Sequence, residues 1–572
     1  MTPFFKLNSV AFAFASAFSL PMTSFAQSEI QEVVKQKVPE ESKLKATPEE
    51  TKKKSQTAQK ANETVQKISI IAGKQSDVDL RRNSIAGKIV VGREELDRDG
   101  DSTVGEILKR LPGVTTGGRP GRGGDVRMRG MGGGYTQILL NGERPPRGFS
   151  MESLSPDQVE RIEIMRGPVA EFSTQAIAGT INIILREEYH AKDADLKLSL
   201  GMEQGRTAPN LSLTYPGQIG ALTYAISGSI FRNGQHDESE SHNVDTYDTG
   251  VLKKTKDQLD HTDRSSNGIH ITPRFSYKFE NGDSLNFQPF LMSSHSRSHN
   301  LSQIVEKIYV ADPRDDNYQK PAIVKADSIS NSDSTMARGN LTYQHKFEDN
   351  SKLNLKFGSS LGHAESHSER HQYGADGAQL NLITDVNNTR DTNLSGGGKY
   401  TTPIGDKQNM ALGWEVETGK RNQKRVSLDN GLPQFIDSGD NLDASTKRVA
   451  TYVQDEFDID KEWSAYAGLR WEGINTHSKK SNYIVDNSSS VMSPILHAVY
   501  RIPGAGKDQL RMSLTSSYRA PSLNDIIAVP TISPLNSATR PDRSGNPELK
   551  PERARGVDLA FEHYLKNSGI LS

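Results

Sequence analysis

From about Asp193 to the last residues, apolar and polar side chains alternate with a period of two, in segments of roughly ten residues. Leu196, Leu198 and Leu200 share one face of such a segment, and Leu211, Leu213 and Tyr215 share the next. The series continues through Leu222, Tyr224 and Ile226, through Phe275, Tyr277 and Phe279, and through Leu353, Leu355 and Phe357. It closes with Met410, Leu412 and Trp414, with Leu510, Met512 and Leu514, and with Val557, Leu559 and Phe561. Successive side chains of a strand point to opposite faces, so each run predicts a strand that is apolar on one side only. Tight turn signals such as "FENGDS" and "FEDNSK" alternate with long polar stretches at 233–264 and 297–334, which read as loops. Short turns at one end and long loops at the other are the layout of an antiparallel transmembrane β-barrel. A water-soluble sandwich also alternates, but loops of about 30 residues at every second hairpin do not suit it. The reading yields about 14 strands.

Residues 76–188 carry a different pattern, a mixed α/β unit. "KIVVGREEL" predicts a strand and a turn. In "DSTVGEILKRLPGV" Asp101 or Ser102 caps a helix, Val104, Ile107, Leu108 and Leu111 line one face, and Pro112-Gly113 stop it. "DVRMRG" and "TQILLNG" predict short strands, "SPDQVERIEIMRG" a helical turn and a strand, and "GTINIILR" a final strand. The glycine-rich "RMRGMGGGY" between the first two has the look of a phosphate cradle. A dinucleotide site needs a helix straight after the glycines, and none is predicted.

The N-terminus adds a compartment. Lys6, an apolar run from Val10 to Leu20 and Ser24-Phe25-Ala26 form a secretory signal over residues 1–26. Residues 27–66 are rich in Lys, Glu, Gln and Thr and lack aromatic residues, which predicts a flexible tether. "KISIIA", Lys67, Ile68, Ser69, Ile70, Ile71 and Ala72, is an isolated strand-former at the end of that tether, suited to pairing with the edge of a partner's sheet. The 572 residues have a net charge of −1, which gives no sign of a nucleic-acid partner. Mean hydropathy is −0.64, with no later apolar run long enough for a helical span. The chain has no cysteine, so thiolate metal sites and disulfides are excluded.

Seven motifs in order give these parts a common identity. "VGEILKRLPGV", "VRMRGMG", "TQILLNGERP", "VERIEIMRGP" and "AIAGTINIIL", followed by "YRAPSLND" and "NPELKPERARGVDLAFEHY", resemble the plug and barrel signatures of the TonB-dependent outer-membrane receptors. The resemblance covers nearly everything after residue 66. It implies a plug at 76–188 inside an antiparallel barrel at 191–572, with residues 67–72 as the TonB box. It also implies the outer membrane of a Gram-negative bacterium, TonB and membrane lipid as partners, no cofactor and no catalysis. The family uses about 22 strands, so the 14 counted suggest a fragment. "EFSTQAIAG" also lacks a glycine that the family usually keeps there.

Between Gly113 and Ser150 there are six arginines against two acids, a local balance of +4. Guanidinium groups hold carboxylate or catecholate oxygens through a fork of donors. Arg119, Arg122, Arg144 and Arg147, in loops, are therefore expected at the ligand. Arg129 and Arg166, each before a glycine in "MRG", are expected to lock the plug to barrel glutamates, with Glu456 and Glu552 as candidates. The ligand class implied is a ferric siderophore, anionic to suit these arginines, although the stretch 233–264 itself holds eight acids against four basic residues.

Three other readings compete with this one. A haem receptor would want a histidine between Ser522 and Gly545, and none is there. A zinc or copper receptor would use His363, His367 and His371, which share one face of a strand. A passive pore would have no use for a plug or a docking strand. No Ser-His-Asp order with a nucleophile elbow, HExxH or P-loop suggests an enzyme.

Overall fold

Two sheets organise the chain. The computed structural model describes residues 76–98, 104–116, 126–145, 151, 154, 156–186, 193–203, 205–309, 322–434, 441–480, 483–526, 545–565 and 569–572. The signal segment 1–26, the tether 27–66 and the whole of 67–72 lie outside these.

The smaller sheet comprises β1 (Lys88–Val91), β4 (Thr136–Leu140), β5 (Val159–Met165) and β6 (Gly179–Leu185), in the order β1-β5-β6-β4. β5 runs antiparallel to both neighbours, and β4 joins β6 in parallel. A separate ribbon pairs β2 (Val114–Thr116) with β3 (Val126–Met128). Helices α1 (Asp77–Asn83), α2 (Arg93–Arg98) and α3 (Val104–Arg110) surround them. Where a plain turn was expected after "KIVV", Arg93 to Arg98 form α2. Glu94 and Glu95 sit in its first turn and Arg98 in its last, which suits the helix dipole.

The expected apolar face of α3 is what packs. Val104, Ile107, Leu108 and Leu111 are buried against Val91, Val159, Ile162, Ile164, Ile181 and Ile183. Each such side chain removed from water stabilises this core by about 1.5–3 kcal/mol. β6 enters through Gly179 at φ 134, where a Cβ would stand 2.8 Å from the Met165 carbonyl oxygen.

The larger sheet forms a wall. Its strands are β7 (Asp195–Glu203), β8 (Arg206–Ile219), β9 (Leu222–Thr246), β10 (Leu252–Lys278), β11 (Ser284–Ile308), β12 (Lys325–Lys346), β13 (Lys352–Tyr373) and β14 (Gln379–Ile404). They continue with β15 (Gln408–Asp429), β16 (Leu432–Pro433), β17 (Asn441–Asp458), β18 (Trp463–Lys480), β19 (Tyr483–Arg501), β20 (Gln509–Arg519), β21 (Glu552–Tyr564) and β22 (Ile570–Leu571). A four-residue helix, α4 (Leu523–Ile526), follows β20. Pairing is antiparallel throughout, and β16 is a two-residue addition to the end of β15. Of the sixteen strands, β16 and β22 have two residues each, which leaves fourteen long ones.

Aliphatic residues on the outward face are exposed: Leu198 by 77%, Leu559 by 75%, and with them Leu213, Ile230, Ile269, Leu355, Leu412 and Leu496. No described helix is long and apolar enough to cross a membrane.

Two stretches expected as loops are largely strand. β9 and β10 run through 233–264 and turn only at 247–251; β11 and β12 take up all of 297–334 except 309–324. The reason is physical. Alternation in a sequence reports a difference between two faces, and a strand that is wet on both sides has none to report.

Candidate functional site

The plug lies against the inward face of the wall. β10 reaches it through Thr272, β11 through Gln288, β12 through Arg338, β13 through Lys356 and β17 through Gln454. β18 to β21 hold it more densely.

The tightest contact is made by residues 168–175, which sequence reasoning did not single out. Glu472, 1% exposed, accepts hydrogen bonds from Ser173 Oγ at 2.9 Å and from the amide and hydroxyl of Thr174 at 3.2 Å. Arg448 and Arg470 close on the same carboxylate at 3.1 and 3.2 Å. Arg470, fully buried, also donates to the Ala170 carbonyl at 3.1 Å, and Tyr466 OH accepts from the Ala170 amide at 2.7 Å. The Thr174 carbonyl accepts from the Tyr518 amide at 3.0 Å. Two guanidinium groups with a carboxylate and matched hydroxyls leave these buried charges partnered, as burial requires. The signal was present in "GLRWEG": Arg470 and Glu472 are out of phase with Leu469 and Trp471, so the strand turns its charges inward.

The residues named as a lock sit elsewhere. Arg129 Nη2 donates to Asp558 at 3.0 Å and to the Arg166 carbonyl at 3.1 Å. Glu552 meets the plug through Tyr135, whose hydroxyl donates at 2.6 Å, while Arg519 binds its other oxygen at 3.0 Å. That hydrogen bond to a carboxylate raises the Tyr135 pKa. Glu456 faces inward on β17 and makes no ion pair with Arg129 or Arg166 among the described residues. Near α1 a further clamp appears: Arg511 donates to the carbonyls of Arg81 (2.8 Å) and Ser84 (2.6 Å), while Glu562 pairs with Arg81 at 2.9 Å and Arg511 at 2.8 Å.

Above this lock a cavity of about 870 Å³ opens between the plug and β12 to β18. Its plug side is the turn 141–145. Asn141 and Gly142 both take positive φ, 52° and 79°, and bridge Leu140 to Glu143 as a two-residue hairpin turn. The basic glycine stretch therefore ends in a tight turn that presents Glu143 and Arg144. Glu143 pairs with Arg338 at 3.0 Å, Asp391 holds Arg421 through two contacts of 2.8 Å, and Glu417 holds Arg448 at 2.7 Å.

Two cations that point into the cavity have no carboxylate partner among the described residues. Arg144, exposed to the cavity, donates to Ser173 Oγ at 3.3 Å, and Lys356 donates to the Asn141 carbonyl at 3.1 Å. Enclosure within the lumen, and then the neighbouring Arg448, lower the Arg144 pKa from its ordinary value, with Glu417 and Glu472 offsetting part of the effect. Arg119, Arg122 and Arg147 lie outside the described residues.

The three histidines of β13 do lie on one face, as expected. That face is the outward one, and four residues of strand separate neighbours by about 13 Å. They cannot converge on one ion. His367 pairs with Glu369 and His371 with Gln379 instead.

A small mixed domain seated on the inner face of an antiparallel wall, with aliphatic side chains outside, defines a plugged outer-membrane barrel. Comparison with known proteins agrees. The profile "TonB dependent receptor-like, beta-barrel" matches residues 260–572, and "TonB-dependent Receptor Plug Domain" matches 81–180. The chain belongs to the TonB-dependent receptors of the outer membrane.

An iron-regulated outer membrane virulence protein of Vibrio cholerae is 22% identical over 86% of this chain and 65% of its own length. A ferric enterobactin receptor of Pseudomonas aeruginosa is 21% identical over 76% and 59%. The chain thus spans about two thirds of these relatives or less. Among solved structures, the ferric-catecholate import receptor of Escherichia coli K12 superposes with a TM-score of 0.56 at 14% identity, covering 85% of this chain and 72% of the other. A ferric enterobactin receptor mutant from Pseudomonas aeruginosa gives 0.55 at 18%, covering 86% and 71%.

Proposed function

We propose that this chain serves the energy-coupled uptake of an anionic ferric siderophore. One observation supports the reading most: Arg144 and Lys356 point into the cavity over the plug apex without an ion pair among the described residues, whereas Arg338, Arg421 and Arg448 beside them are each paired. An anionic ligand supplies the missing charge. The relatives named for iron and enterobactin favour iron chelates as the class.

In this reading the ligand binds Arg144, and Ser173 links that contact to the buried Glu472 beneath it. Residues 67–72 pair with TonB by strand addition, and the inner-membrane complex supplies the energy. The protein itself breaks and forms no covalent bonds.

The test is ligand binding to purified chain by fluorescence quenching, beside iron-limited growth on single siderophores. A charge-assisted hydrogen bond contributes about 1.5–3 kcal/mol, so Arg144→Gln weakens an anionic ferric siderophore by about 10- to 100-fold. A neutral ferric hydroxamate loses little. Equal affinity before and after the substitution refutes the reading, as does growth that responds to zinc and to no siderophore.

A further inference from the structure

Beyond the apolar belt, β9 and β10 continue as a ribbon that is wet on both faces, and its outward face is rich in imidazole and carboxylate. The pairing register sets Glu238 opposite His261 and His236 opposite Asp263. All four side chains point outward. His236 lies six residues beyond the belt residue Ile230, and His261 eight beyond Ile269, about 20–26 Å along the strands.

We propose that His236, Glu238 and His261 form a site for a divalent transition-metal ion of the zinc class. Their ligand atoms all lie within 4.8 Å of one another. Two of the edges are shorter: His236 Nε2 is 3.5 Å and His261 Nδ1 is 3.3 Å from the same oxygen of Glu238. A tetrahedral zinc with bonds of about 2.0–2.1 Å keeps its ligands about 3.3–3.4 Å apart, so these edges already have the required size. Two neutral imidazoles and one carboxylate are a common zinc donor set, with the fourth position left to water.

A second observation points the same way. Asp263 stands 2.8 Å from Nδ1 of His236 and is itself held by Arg206 at 2.6 Å. A carboxylate on Nδ1 keeps a proton there, so that a metal can take the place of the proton that Nε2 shares with Glu238. This orientation of a metal-binding histidine by an outer carboxylate recurs at zinc sites. Asp263 is a positioning residue. The site lies outside the barrel wall, so it takes a resident ion that ties β9 to β10, separate from any ligand passing over the plug.

Titration of zinc chloride into the full purified chain by calorimetry tests the proposal. One saturable site is expected. His261→Gln and Glu238→Gln each weaken it by about tenfold or more, and Asp263→Asn by about tenfold, in proteins with matching far-UV spectra. His363→Gln with His367→Gln leaves it unchanged. Zinc also raises the thermal midpoint of the parent chain and not that of His261→Gln. No saturable binding, or an affinity within about threefold in both His261→Gln and Glu238→Gln, overturns the proposal.

Discussion

Replacing Glu472 with glutamine tests what holds the plug in the wall. The substitution keeps the shape and removes the charge between Arg448 and Arg470. It also turns one of two acceptor oxygens into a donor, facing Ser173, Thr174 and the guanidinium groups that now donate to it. Arg448 and Arg470 keep Glu417 and Glu415, and all of these lie in the wall, so what the plug loses is the charge on the acceptor of the Ser173 and Thr174 hydrogen bonds, about 1.5–3 kcal/mol. Release of residues 168–175 from β18 should then become about 10- to 100-fold more frequent. The chain has no cysteine, so a single Ala176→Cys, at a position 2% exposed, gives a clean reporter. When reclosing outruns modification, the thiol-labelling rate follows the population of the open form. Glu472→Gln in that background should raise the rate by about tenfold or more, and Glu456→Gln should leave it unchanged. A rise of less than about threefold for Glu472→Gln would show that the charges around it do not fix the plug.

The same reporter serves two further substitutions. Arg129→Ala removes a pair whose partners are 37% and 41% exposed, so water screens it and the cost is about 0–1 kcal/mol; labelling should change by less than about fivefold. Gly142→Ala forces a Cβ to 2.9 Å from the Phe172 ring at φ 79, and should destabilise the apex turn by about 1–2 kcal/mol, raising labelling and lowering siderophore affinity together. At the short-turn end of the wall, Asp283 accepts from Tyr343, and Asn281 and His345 add to it, which holds its carboxyl below the usual aspartate range. Its folded pKa is depressed, so the stability it lends is complete above about 3.9 and is lost as pH falls through the lower folded value. Amide exchange in the turn 279–283 should quicken below about pH 4, and Asp283→Asn should abolish that acid step.

The plug was legible because its signals are local. A capped helix with Val104, Ile107 and Leu108 on one face, and "GTINIIL" before a basic residue, each specify an element without reference to anything distant. The belt of the wall was legible for a similar reason: lipid on one side and a polar lumen on the other impose period two on every strand. Where β9 and β10 leave the belt, both faces are wet and the pattern vanishes although the hydrogen-bonded ladder does not. The lock was hidden by distance. Ser173 meets Glu472 across 299 residues, and Arg129 meets Asp558 across 429. Sequence phase shows that such residues face inward but not what stands opposite, so nothing in it sets Glu472 and Asp558 apart from Glu456 and Glu552.

The chemistry of the two interfaces explains how such a plug can be both firm and releasable. Its own core is aliphatic, a cluster running from Val91 through Ile107 to Ile183. Its contact with the wall has a small apolar part, around Val169, Tyr466 and Ile495, and otherwise consists of ion pairs and hydrogen bonds. Water can replace polar contacts once they open, and cannot replace apolar ones, so separation from the wall is the cheaper route under load. In the function proposed above, a pull on residues 67–72 reaches α1 first. Arg511 and Glu562 hold α1 by its terminal carbonyls and by Arg81. That clamp is remote from the cavity and from Glu472, so force and ligand act on different polar joints of one rigid plug. Occupancy can then weaken the Ser173–Glu472 joint without loosening the grip at α1, and transport needs both to give.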